Sequence, residues 1–149
     1  MKIGLWETFP LMESLLSQIA PLFPLAGSLE VGRWEKNESY HIFLTDRALP
    51  PSASSEIILI PSSSERLWRD FSGQVITGGM GSSDPVTFSS IGEDRALLCL
   101  QQEILFCGRE IVPFERPVPF RRNFSLYKNL AVTFALSLTE ILFGEEFTL

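Results

Sequence analysis

The chain has 149 residues, the size of a single domain, and such a domain hides roughly two thirds of the surface its unfolded chain exposes. Eighteen acidic against twelve basic residues give a formal charge of −6, which repels phosphate backbones and excludes an extended nucleic-acid surface. Apolar residues at 45% and charged residues at 20% are the values of a folded globular chain and exclude a disordered one.

No apolar run reaches the roughly 18 residues of a spanning helix, and the N-terminus lacks the positive, apolar and small-residue order of a signal peptide. The expectation is a cytoplasmic protein with neither membrane nor nucleic acid as partner. Cys99 and Cys107 stand apart in apolar surroundings, and His41 is the only histidine. Without CxxC or ligand spacing they read as buried thiols and a hydrogen-bonded structural histidine, not as a redox pair, a zinc site or a general base.

KIGLW, residues 2–6, reads as a first strand. A helix follows from about Pro10 to Phe23, with Leu11, Leu15, Ile19 and Leu22 at helical steps, Thr8 as its cap and Pro10 in its first turn. A short strand is expected around Ser28 to Val31, a second clear one at YHIFLTD, 40–46, and then a Pro- and Ser-rich connection from 47 to 55. EIILIPS, 56–62, is continuously apolar from Ile57 to Ile60, the pattern of a strand covered on both faces. SSSERLWRDF, 62–71, predicts a short helix ending at Gly73, and QVITGG, 74–79, the next strand.

After Pro85 the alternation changes to that of antiparallel hairpins. The expected strands are 86–91, 95–106, 109–115 and PVPF at 117–120, with turns at Gly92-Glu93-Asp94 and Cys107-Gly108-Arg109. Gln101 and Glu103 are expected to share one face of the 95–106 strand. A last helix runs from about Ser125 to Phe143, with Leu126, Leu130, Phe134, Leu138, Ile141 and Leu142 in helical register and Gly144 ending it. The sum is an α/β fold in one domain, 1–149: a Rossmann-like, mainly parallel sheet over 1–84, then antiparallel hairpins and a long C-terminal helix over 85–149.

The most unusual stretch is VITGGMGSSDPVTFSSI, residues 75–91. Gly78, Gly79 and Gly81 are expected to supply backbone angles closed to other residues, so that amides converge with the hydroxyls of Ser82 and Ser83 and the carboxylate of Asp84 on a small polar ligand. Open α/β sheets bind at the carboxyl ends of their strands. The same rim should carry Glu7, Asp46 and Ser62, which would form the opposite wall of a cleft. The rival reading makes the loop a tight crossover with Asp84 capping its own turn before Pro85. Glu7 likewise either caps the 10–23 helix or lines the cleft, and Asp46 either caps a turn or joins Glu7 around a magnesium ion. No ligand set is grouped by spacing, so neither metal nor cofactor is expected.

A glycine-bearing loop after a strand, an Asp-Pro step, the VTFSSI strand, a turn, another hairpin and a helix containing Asn129-Leu130-Ala131 resemble the later part of the central domain of the Mur ligase family, over residues 74–143. Those enzymes are peptide-forming ligases that build cell-wall precursors. The chain departs from the family's pattern in having no GxxxxGK[ST] phosphate loop and no match for its magnesium-binding acids or carbamylated lysine. The resemblance therefore implies a fold and carries over no ATP-driven ligation. WETFP at 6–10 stands where a dinucleotide fold needs glycines, and Ser89-Ser90 and Ser62-Ser63-Ser64 lack a GxSxG elbow. Two classes lead, ahead of an enzyme for which no base, metal cluster or activated nucleophile is grouped: a domain binding a small polar molecule at 78–84, and a non-catalytic interaction module or homodimer anchored by Phe114, Phe120 and Phe124, unless these pack under the last helix.

Overall fold

The computed structural model describes residues 1–24, 29–47, 54–64 and 73–146, the last four without their side chains. Ten strands are described. They are β1 Lys2–Trp6, β2 Glu30–Arg33, β3 Ser39–Thr45, β4 Ser54–Pro61, β5 Gln74–Gly78, β6 Val86–Ile91, β7 Arg95–Leu100, β8 Ile104–Phe106, β9 Arg109–Ile111 and β10 Phe114–Pro119. The described α-helices are α1, Leu11–Ile19, continued by a 3-10 turn at Ala20–Leu22, and α2, Leu126–Glu146.

Eight strands form one sheet in the order β10-β7-β6-β5-β4-β3-β1-β2. β2, β1, β3, β4, β5 and β6 run parallel, and β7 and β10 close the far edge antiparallel. The α/β class, the parallel first half, the antiparallel second half and the long last helix all follow the sequence expectation. β1 lies between β2 and β3, so the chain steps to one side of β1 and then to the other; the crevice above that reversal is where doubly wound sheets bind ligands.

The core explains the helices. On one face of the sheet Ile42, Leu44, Ile57, Leu59 and Ile76 pack with Leu15 and Ile19 of α1 and with α2. Every residue of α2 from Asn129 to Thr139 is buried. That accounts for the apolar surround of this helix, since it packs on the sheet and on α1, and Ile104, Phe106 and Ile111 of the β8–β9 ribbon belong to the same core. Burial of each Leu, Val or Phe in it contributes roughly 1.5–3 kcal/mol. On the opposite face Tyr40, Phe43, Ile58 and Ile60 form a second cluster with Trp6, Trp34 and Val75. Continuous burial from Ile57 to Ile60 is thus what the apolar run of β4 encodes.

Several local expectations are corrected. Thr8 does not cap α1: the N-cap position is Pro10, which offers no side-chain acceptor, and the Glu7 carboxylate takes that role. The strand expected at 95–106 breaks after Leu100, and Gln101–Glu103 are an exposed connection, so the shared face of Gln101 and Glu103 does not exist. Among the described residues β8 and β9 pair only with each other, joined through Cys107 at φ 52° and Gly108 at φ 75°, the left-handed pair of a tight two-residue hairpin. Strand 109–115 is likewise divided between β9 and β10. Gly144 does not end α2, which runs on to Glu146. The helix expected at 62–71 begins as a 3-10 turn at Ser62–Ser64; its remainder, with Leu67 and Phe71, and Ser28 of the second strand lie outside the described residues.

The phenylalanines of the FERPVPF stretch pack inward. Phe120 is buried and meets Phe88 edge-on at 5.6 Å between ring centroids, while Phe114 and Phe124 lie against the main core. No described helix is long and apolar enough to cross a membrane.

Candidate functional site

The glycine loop is the step at which the sheet changes character. β6 meets β5 at a single rung, Gly78 opposite Val86, reinforced by the Gly79 amide donating to the Val86 carbonyl at 3.1 Å. A parallel pair ordinarily needs a crossover of a dozen or more residues. Here β6 begins where β5 ends, so residues 79–85 suffice, and the antiparallel strands β6, β7 and β10 project beyond the carboxyl rim. The edge of β5 from Gln74 to Thr77 is consequently left without a strand partner among the described residues.

Asp84 holds that step together. Its side chain is 6% exposed; Oδ1 accepts from Ser62 Oγ at 2.5 Å and Thr77 Oγ1 at 3.0 Å, and Oδ2 from the Gly81 amide at 2.9 Å. The Asp84 amide returns a bond to the Gly81 carbonyl. Gln101 completes the latch, its side chain donating to the Asp84 carbonyl at 2.6 Å and its amide to that of Pro85. The glycines serve close approach, not unusual torsion: Gly78, Gly79 and Gly81 are absent from the left-handed region, which corrects the expectation. A Cβ on Gly79 would stand 2.6 Å from Ser62 Oγ and 2.7 Å from Asp84 Oδ2.

Beside this latch opens a cleft of about 640 Å³, bounded by Ser62, Thr77, Met80, Ser83, Asp84 and Gln102 among others. It lies between the unpartnered edge of β5 and the passing segment 101–103. Among the described residues neither lysine nor arginine lines it, and Asp84, the charged residue of the described wall, already accepts three hydrogen bonds. The cleft therefore suits groups that exchange neutral hydrogen bonds and disfavours phosphate or other anions.

The structure thus joins Ser62 to Gly81, Ser83 and Asp84 of the loop and places Glu7 and Asp46 elsewhere. Ser82 and Ser83 are exposed at the loop's outer turn. Glu7 lines a separate cavity above β1 and β2 and caps α1, its two oxygens accepting from the Met12 and Glu13 amides at 2.8 and 3.0 Å. The carboxylate occupies the helix N-terminus where dinucleotide folds place a phosphate. Asp46 sits between the two cavities, paired with Lys128 at 2.6 Å, with its Oδ1 buried and unpartnered. Beside it the Tyr127 hydroxyl shares its proton between the Thr45 and Leu59 carbonyls at 2.8 and 2.9 Å. Burial, with the Asp46 charge adding to it, pushes this phenol well above its ordinary pKa.

Thr77, Gln101, Gln102 and Lys128 were not visible as site residues in the sequence. Thr77 carries a usable signal, a hydroxyl two residues along from Val75 on the same strand face; the two glutamines are hidden because their segment imitates a strand. His41 accepts a hydrogen bond from the Lys2 amide at 2.9 Å, a structural role. Cys107 is pushed up to about 11 by burial and the neighbouring Glu56, which keeps it a thiol at neutral pH. Among the described residues no group of three or more His, Cys, Asp and Glu side chains gathers as metal ligands. Scanned against models of known protein families, the chain matches none, and a search of curated proteins finds no similar sequence.

Proposed function

We propose that this protein is a binding domain for a small, polar, uncharged or cationic molecule, held in the cleft beside the Gly78–Asp84 loop. The observation that carries the reading is the missing strand beside β5: backbone groups of a sheet edge, the Ser62 and Thr77 hydroxyls and Gln102 line one opening at the carboxyl rim. The Asp84 latch makes the wall rigid, which lowers the ordering cost that binding must offset. Catalysis is not part of the proposal: Asp84, the carboxylate beside the Ser62 and Thr77 hydroxyls, is committed to three hydrogen bonds that hold the loop. The Mur ligase resemblance over residues 74–143 supports this reading only as architecture, because the chain has no GxxxxGK[ST] loop and no match for the family's magnesium-binding acids or carbamylated lysine.

The test is an amide-resonance titration with neutral and cationic polar compounds, among them amino-acid amides, sugars and polyamines. Saturable shifts centred on Gly81, Ser83 and Gln102 are expected, weakened roughly three- to tenfold by Gln102→Ala, the value of one neutral hydrogen bond. Shifts confined to the β8–β9 ribbon, where Leu105 and Val112 stand 58% and 64% exposed, would instead favour an interaction module.

A further inference from the structure

The cavity above β1 and β2 is distinct from the loop cleft and has the opposite chemistry. It encloses about 260 Å³ between the ends of β1 and β2, the start of α1 and Arg47, at the crevice where the strand order reverses. That volume lies just under the roughly 300–1,000 Å³ of sites for drug-sized ligands, so a one-ring molecule is the appropriate scale.

Its walls are aromatic. Trp6 and Trp34 stack at 5.6 Å with 22° between their planes, and the Arg47 guanidinium lies 4.8 Å from the Trp6 ring centroid. Its charges are unequally satisfied. Glu7 is bound by two α1 amides, and Glu13 pairs with Arg33 at 3.2 Å. Among the described residues no acceptor meets the Arg47 guanidinium, and Trp34 Nε1 is buried without an acceptor. That indole N–H is sealed from the cavity, so Arg47 is the donor left over beside a flat aromatic wall. Because Glu7 already fills the α1 N-terminus, an anion has Arg47 to meet, not the helix amides.

We infer that this cavity is a second binding site, specific for a planar aromatic carboxylate, whose ring stacks on the tryptophan pair and whose carboxylate pairs with Arg47. Neither the ligand nor the residues overlap with those of the loop cleft, so the inference stands or falls separately from the proposed function.

The test is titration of the folded protein with benzoate, benzamide and benzamidinium, followed by the indole N–H resonances of the tryptophans. Benzoate is expected to shift the Trp34 indole signal saturably, at least tenfold more tightly than benzamide, with benzamidinium inert. Arg47→Ala, at an exposed position, should weaken benzoate roughly tenfold or more, the loss of a charge-assisted bond. Arg47→Lys keeps the charge and should restore part of the benzoate affinity that Arg47→Ala loses. Saturable binding that ignores ligand charge, binding unaffected by Arg47→Ala, or no saturable shift with benzoate would each overturn the inference.

Discussion

Asp84 shows how one side chain sets the geometry of a rim. Four features of the sequence, Ser62, Thr77, the 79–81 glycines and the Asp-Pro step, converge on its two oxygens, and none is intelligible without the others. Asp84→Ala is expected to lower the unfolding free energy by about 1.5–3 kcal/mol in urea denaturation, because hydrogen bonds to a buried charged group are lost and two hydroxyls are left over. Gly79→Ala should cost about 1–3 kcal/mol by overpacking against Ser62 and Asp84. Gly32→Ala is the matching control: its Cβ would meet nothing within 4 Å, so its melting temperature should not fall. The loop's position was legible from glycine, serine and Asp-Pro chemistry. Its internal use of Asp84 was not, since Ser62 lies 22 residues away and sequence spacing does not report which carboxylate a distant hydroxyl will find.

At the scale of elements, α2 is the keystone of the main core. Asn129, fully buried, accepts the Arg121 amide through Oδ1 and donates through Nδ2 to the Arg121, Phe124 and Ser125 carbonyls, fixing the turn that enters the helix. Ser125 caps it through the Lys128 amide at 3.1 Å. Ser137 sits in the same buried stretch with an Oγ that has no partner. Ser137→Ala is therefore expected to raise stability by about 1 kcal/mol, whereas Phe134→Ala should lower it by about 3–5 kcal/mol, both read from urea midpoints at constant m-value. Helical spacing made α2 readable in the sequence, but Gly144 was a misleading stop. A glycine ends a helix when the next residues need a left-handed turn, and here the chain continues as helix. The break at 101–103 was missed for a related reason: Leu100 and Ile104 keep the apolar alternation of a strand across a segment that has left the sheet. β6 and β7 were legible because the Gly92-Glu93-Asp94 turn is local, with Gly92 donating to the Arg95 carbonyl at 2.7 Å.

For the whole molecule, the parallel strands, α1 and α2 share one core, so the described elements should unfold together. Alkali exposes this coupling. Tyr127 ionises near 10 in the unfolded chain and well above it in the fold, and Cys107 near 9 unfolded and about 11 folded. In each case the unfolded state releases its proton first, so stability is complete below these unfolded values and falls as pH rises through the folded ones. Urea midpoints should thus decline from about pH 9 upward, and Cys107→Ser and Tyr127→Phe should each flatten the decline. Overall architecture could be read from the sequence because period and turn chemistry are local properties. The division of the rim into two cavities could not, because it depends on where β2 and β6 fall beside strands distant in sequence. The central claim, a polar ligand held beside an incomplete sheet edge, is tested most directly by the amide-resonance titration with neutral and cationic polar compounds. The account expects at least one of them to shift Gly81, Ser83 and Gln102 together and saturably, with Gln102→Ala weakening it; the absence of saturable shifts at these three residues would contradict it.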